Sequence, residues 1–259
     1  MNAVIFENLT WPELSVLRES NGGLLLLPLG ATEQHGPHLP VAMDTLLAES
    51  VCHAASSITA VPVLPALRYT VSQGHTAKWP GTLSLRHETF ISTLTDLADW
   101  AVATGWKRLI LFNTHFGNDA SARVAVDKIR LRHIGKLRIA LLNVFQLTPE
   151  IFKTYTADAE DLHANKAETD LMLHLFPNLV RIERLKDSDD PDRTTDTVFS
   201  YPVSQTSLNG ATGAPSQANA TDGAALFEQI VAALTKKIRT AIDEEPPLPE
   251  SEWSEIPIP

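Results

Sequence analysis

The stretch Leu24-Leu25-Leu26-Leu27-Pro28-Leu29-Gly30-Ala31-Thr32-Glu33-Gln34-His35-Gly36-Pro37-His38 passes straight from an apolar run into a polar turn. An apolar run without polar alternation is the pattern of a strand covered on both faces, because a strand with one wet face alternates. Ile58 to Leu67, Arg108 to Asn113 and Leu137 to Phe145 have the same character. Between them lie helical stretches. Asp44 to Ala55 and Asn118 to His133 open with residues that cap helices, and His87 to Ala103 spaces its apolar residues by three and four. Buried strands alternating with helices predict an α/β fold with a mainly parallel sheet and helices on both faces. Ligands of such sheets gather outside the carboxyl ends of the strands.

Outward from this frame the pattern changes. Asn165 to Phe176 and Gly223 to Asp243 read as helices, whereas residues 181–222 are rich in Asp, Thr, Ser, Asn, Gly and Pro and read as a long structured loop. Residues 1–243 are therefore expected to form one domain. The acidic, Pro-rich stretch 244–259 reads as a tail that is frayed or packs on a neighbouring subunit. A formal charge of -10 argues against a nucleic-acid backbone as partner, since phosphate binding needs clustered Lys and Arg. Cys52 is the sole cysteine, so an intrachain disulfide and a thiolate metal cluster are both excluded. With no apolar run long enough for a membrane span and no signal-like start, the expected location is the cytoplasm.

The chemistry-bearing residues collect at strand ends. Glu33 and His35 are two apart, so in extended chain both side chains point to one side and can converge on one ion. Asp44 follows at a helix start, where an isolated Asp would be an N-cap. The third strand runs into Asn113-Thr114-His115-Phe116-Gly117-Asn118-Asp119, which puts His115 at a second carboxyl end. Two imidazoles and two carboxylates without sulfur suit Zn, Mn or Fe(II), and a carboxylate can bridge two ions. Cys52, among apolar helix neighbours, reads as a core residue, and His53, His87, His133 and His174 read as structural.

Leu27 to Pro40 followed by Asp44-Thr45 closely resembles the signature of the creatininase (creatinine amidohydrolase) family. Further similar segments are Pro80 to Leu85, Asn113 to Asn118, His163-Ala164 with Glu168-Thr169 and Met172-Leu173, and Gly210 to Gly223. The resemblance implies a three-layer α/β/α metal hydrolase assembled as a homo-oligomer, commonly a hexamer. It implies two divalent metal ions per subunit, Zn with Mn or Fe as alternatives. The first would be held by Glu33, Asp44 and His115, the second by His35 and Asp44, with Asp44 bridging. Creatinine-cleaving members add a carboxylate two residues after the loop histidine; here that position is Gly117, and Glu168 is expected to supply the missing ligand.

By the same resemblance His163 is the proton donor or acceptor, and Ser72, His75 and Phe116 line the substrate pocket. Phe116 stands where the creatinine-cleaving members carry Tyr, and Ala159 where they carry Trp, so creatinine is disfavoured as substrate. What is implied is hydrolysis of a C–N amide bond of a small molecule, cyclic or linear. Within the same chemistry the alternative is a formamide hydrolase or a short-peptide-cleaving relative. From another class, the alternative is a metal-binding scaffold without catalysis.

Overall fold

The computed structural model describes residues 2–76 and 78–253. In chain order its elements are α1 (Trp11–Ser20), β1 (Leu24–Leu29), α2 (Met43–Thr59), α3 (His87–Ala103), β2 (Arg108–Asn113), α4 (Asp119–Arg132), β3 (Arg138–Asn143), α5 (Pro149–Tyr155), α6 (Lys166–Leu175), α7 (Val203–Thr206) and α8 (Ala220–Asp243). Among the described residues the sheet has three parallel strands in the order β1-β2-β3, with Leu29, Asn113 and Asn143 in register at their carboxyl ends. Those three ends open on one edge of the molecule.

Side chains alternate between two cores, as the strand period of two requires. Leu24, Leu26, Ile110 and Phe112 face a core built with α2, α5, α6 and α8. Leu25, Leu27, Leu29, Leu109 and Leu111 face the other, built with α3 and α4. The sheet is thus the middle layer of an α/β/α sandwich, which is why its central strands carry no polar alternation.

The segment from Ile58 to Leu67 departs from the expected strand. Ile58 and Thr59 finish α2, Ala60 turns the chain in the left-handed region, and Val61 to Leu67 runs alongside β1 with isolated bridges at Val63 and Leu67. Pro62 and Pro65 lack the N–H a ladder needs, and the Val63 N–H is given to Val4 instead. Helix α2 begins at Met43 with Ala42 at its N-cap, so Asp44 is not the cap; it is buried. The last expected strand ends at Asn143, and Val144–Gln146 is a 3-10 turn. Helix α6 is capped by Asn165, whose side-chain oxygen accepts the Glu168 N–H at 3.2 Å, and α8 starts at Ala220, three residues earlier than its apolar pattern.

Residues 181–222 form loops with 3-10 turns and the single turn α7, pinned by long-range contacts: Asp190 accepts from Ser207 and Leu208 and bridges to Gly213. The tail from Glu244 to Trp253 folds back under the amino ends of β2 and β3, where Glu245 pairs with Arg108 and Arg138. Positions 254–259 of that tail lie outside the described residues. Among the described residues no helix is long and apolar enough to cross a membrane.

Candidate metal centre

The carboxyl ends of β1 and β2 carry the site. Past β1 the backbone passes α2 so closely that a Cβ on Gly30 would lie 2.4 Å from the Thr45 Cα; no side chain fits there. Thr45 Oγ1 donates to the Ala31 carbonyl at 2.8 Å, and Thr114 Oγ1 donates to the Asp44 carbonyl at 2.7 Å. The start of α2 is thereby tied to both strand ends. After β2, the Asn113 and Asn118 side chains hold the turn: Asn113 Nδ2 donates to the His115 carbonyl and to Asn143 Oδ1, while Asn118 Nδ2 reaches the Gly30 carbonyl. Glu168 comes from the first turn of α6 and His163 from the segment before it.

Glu33, His35, Asp44, His115, Glu168 and His163 meet in this space and all are buried. His115 Nδ1 lies 3.2 Å from Glu33 Oε2 and 3.2 Å from Asp44 Oδ2, and His35 Nε2 lies 3.4 Å from Asp44 Oδ1. The other nitrogen of each ring is already committed. His115 Nε2–H donates to the Val71 carbonyl at 2.8 Å, with Ser72 Oγ at 3.1 Å, and His35 Nδ1–H donates to the Glu33 carbonyl at 3.0 Å. Each imidazole therefore turns its other nitrogen towards carboxylate oxygens, an arrangement that, once that nitrogen is deprotonated, fits a cation between them.

The carboxylates carry the same signature. Both Glu33 oxygens and Asp44 Oδ2 are buried without a hydrogen-bond donor, although burying such a group unpaired is costly. Among the described residues three sets of ligand atoms are close enough to hold an ion: Glu33, Asp44 and His115; His35, Asp44 and Glu168; and Glu33, His35 and His163. Asp44 belongs to the first two. The expected ligands are thus brought together, and His163 is brought close to them, its Nδ1 3.9 Å from Glu33 Oε2.

Without a cation this cluster redistributes protons. Burial pushes the Glu33 and Glu168 carboxyls up to about 7. Burial works against charge on the imidazoles, but Asp44 with the two glutamates raises His35 to about 10, and Glu33 with Asp44 raises His115 to about 9. Burial also opposes charge on Asp44; His35 and His115 nevertheless hold it below the usual carboxylate range. Protons and charged imidazoles stand in for positive charge that three buried carboxylates demand.

Gln34, between two of these residues, was not singled out in the sequence, yet it fixes the neighbouring rings. Its Oε1 accepts the Gly36 N–H at 3.0 Å, which assigns Nε2 as the donor to the Gly210 carbonyl and to His75 Nδ1, both at 2.9 Å. His75 then carries its proton on Nε2, 3.3 Å from Glu33 Oε1. His163 Nε2–H donates to the Gln34 carbonyl at 2.7 Å, leaving Nδ1 as an acceptor towards the centre, and burial first, then His35 and His75, lower its pKa well below the ordinary value. The cavity of about 280 Å³ over these groups is lined also by Ser72, Phe116, His87 and, from the long loop, Tyr201 to Val203. No local pattern marks Tyr201 as a wall of this cavity; only tertiary folding brings it there.

Gly117 packs against the group that orients His115. A Cβ there would lie 2.5 Å from His115 Nε2 and 2.6 Å from the Val71 carbonyl, in the path of the hydrogen bond that orients His115. Glu168, grouped with His35 and Asp44, accepts the Ala164 N–H through its Oε2 at 2.7 Å.

Comparison with known proteins gives a consistent result. The creatininase family model, described as creatinine amidohydrolase, matches residues 7–238. Creatinine amidohydrolase of Pseudomonas putida is 28% identical over 263 residues, spanning 95% of this chain and 98% of that one. Mycofactocin precursor peptide peptidase of Mycobacterium tuberculosis is 29% identical over 231 residues, spanning 83% and 84%. Two solved structures, a creatininase mutant of the Zn-Zn type and a creatininase described with Mn, superpose with TM-scores of 0.80. Their identities are 26% and 27%, and they cover 94% and 93% of this chain and 100% of their own.

Proposed function

The chain belongs to the creatininase family, and on that premise we propose that it hydrolyses a C–N amide bond at a centre of two divalent cations. The observation that carries this reading is the buried convergence of Glu33, Asp44 and Glu168 with two imidazoles, both Glu33 oxygens and one Asp44 oxygen being without a hydrogen-bond donor. Glu33, Asp44 and His115 would hold one cation, His35, Asp44 and Glu168 the other. Zn is the favoured metal and Mn the alternative, since both appear among the solved relatives. When bound, such cations supply Lewis acidity, lowering the pKa of water and drawing charge from a carbonyl oxygen.

The chain's own groups move the protons. His163 is neutral, and its Nδ1 faces the centre, so it is set to accept a proton from the attacking water and pass it to the leaving nitrogen. An amine anion leaves poorly, so this delivery is needed before the C–N bond can break. His75, with its Nε2–H turned inward, and Ser72 are placed to contact substrate. Elemental analysis of protein purified without added metal, coupled to a screen of cyclic amides, formamides and small peptides, tests the proposal. Two ions per chain with amide turnover is the expected result; bound metal with no hydrolysis of any class would favour a scaffold.

Three results bear on the ligand set. Glu168→Gln keeps the acceptor for Ala164 but loses a charge, so it is expected to lower metal content from two ions towards one with the fold intact; two ions bound at the parent's affinity would exclude ligation by Glu168. Gly117→Ala should displace His115 from its Val71 bond and weaken metal binding by about 10- to 100-fold, the range for losing an orienting partner. A calorimetric titration checks this, and unchanged affinity counts against the role of His115. Metal must also displace protons. Glu33 and Glu168 titrate at about 7 and the two histidines at about 9 and about 10 in the metal-free protein, so affinity should rise with pH from below 7 up to that range. Proton release measured in buffers of different ionisation enthalpy is the check, and no release would contradict the assignment.

A further inference from the structure

A second cavity, of about 360 Å³, adjoins the metal centre, and Phe116, Phe145, Asp161 and Leu162 line both. Phe152 forms its other wall and Glu160 part of its rim. Phe116 and Phe152 leave 64% and 47% of their surface in water, and an apolar wall next to a polar centre is the usual composition of a small-molecule site. The Phe116 and Phe145 rings pack at 5.4 Å, which joins the wall of the side cavity to the wall of the centre. The backbone of the acidic rim is held in place. Glu160 and Asp161 both donate their backbone N–H to Asp192 Oδ2, at 3.1 and 3.0 Å, and Asp192 is held in turn by the Thr194 N–H and hydroxyl. Among the described residues neither lining includes a Lys or Arg.

We propose that this side cavity is a substrate subsite: the amide cleaved at the metal centre carries an aromatic or branched aliphatic group seated between Phe116, Phe145 and Phe152, with an ammonium group at the Glu160 and Asp161 rim. The inference rests on the reading of the centre as an amide hydrolase site and names the substrate class that reading leaves open. Continuity of the two cavities supports one molecule reaching both. Charge complementarity supports the cation, because the charged groups lining the side cavity are the carboxylates of Glu160 and Asp161. The rings supply burial and a face for the cation.

The test compares glycylglycine with phenylalanylglycine and glycylphenylalanine, which set the ring on either side of one amide bond, and with the N-acetyl form of each. On the metal-loaded enzyme one ring-bearing dipeptide should exceed glycylglycine in kcat/KM by about 10- to 100-fold. N-acetylation should remove part of that advantage, by about fivefold. Phe152→Ala should cut the preference for the ring by about tenfold. In parallel, phenethylammonium should bind more tightly than ethylammonium in an NMR titration, and Phe152→Ala should abolish the difference. Equal kcat/KM with and without the ring, or a preference that Phe152→Ala leaves intact, overturns the subsite. If no dipeptide or other amide is hydrolysed while phenethylammonium still binds in a Phe152-dependent way, the subsite stands and the hydrolase reading fails.

Discussion

Asp44→Asn is expected to release metal and abolish turnover together, the largest effect of any single substitution in the centre. Asp44 is the carboxylate common to the two sets proposed to hold the ions, with Oδ2 near His115 and Oδ1 near His35. An amide keeps the volume but offers a neutral oxygen and an N–H, and the N–H would point at an imidazole lone pair or at a cation. Both ions therefore lose affinity, by more than the 10- to 100-fold that removal of an outer partner typically costs. Metal analysis after dialysis, with turnover of the same sample, measures it. Two ions retained at normal affinity would show that Asp44 does not bridge.

The position and type of Asp44 suggest an N-cap, whereas Ala42 holds that place at the start of α2 and the Asp44 side chain is buried. Its neighbours at the strand ends were easier to read. β1 and β2 match the expected segments residue for residue, since a strand covered on both faces leaves an unbroken apolar run and the polar residue after it must lie at the carboxyl end. The segment from Ile58 to Leu67 has the same composition but two prolines in it, and those cost it the ladder.

Helices α1 and α5 carry little apolar period. Helix α1 buries none of its residues, so apolar period carried no signal; its capping box from Thr10 to Glu13 with Pro12 in the first turn was the available mark. Helix α5 is one short stretch, announced only by Thr148 and Pro149. Gln34 and Tyr201 lay beyond reach altogether. Their contacts join residues far apart in sequence, Gln34 with Gly210 and Tyr201 with the strand-end cavity, and such pairings leave no period to read.

His163→Ala is expected to cut turnover by about 10²- to 10⁴-fold, the range for losing a proton-transfer group, while both ions stay bound. The structure makes this a demanding expectation, because Glu33, His35 and His163 also form a set able to hold an ion. Distance favours the proton role: His163 Nδ1 is 3.9 Å from Glu33 Oε2, against 3.2 Å for His115 Nδ1, and the two other sets already account for Glu33 and His35. With Nε2–H given to the Gln34 carbonyl, Nδ1 is the only basic atom this ring offers to the cavity. A proton taken there and returned to the leaving nitrogen matters less when that nitrogen is a weak base. The loss should accordingly shrink along a series of amides with increasingly acidic leaving amines. Metal content and leaving-group dependence are to be measured on one preparation. Departure of an ion would move His163 into the ligand set, and an equal loss across the series would take the proton transfer away from it.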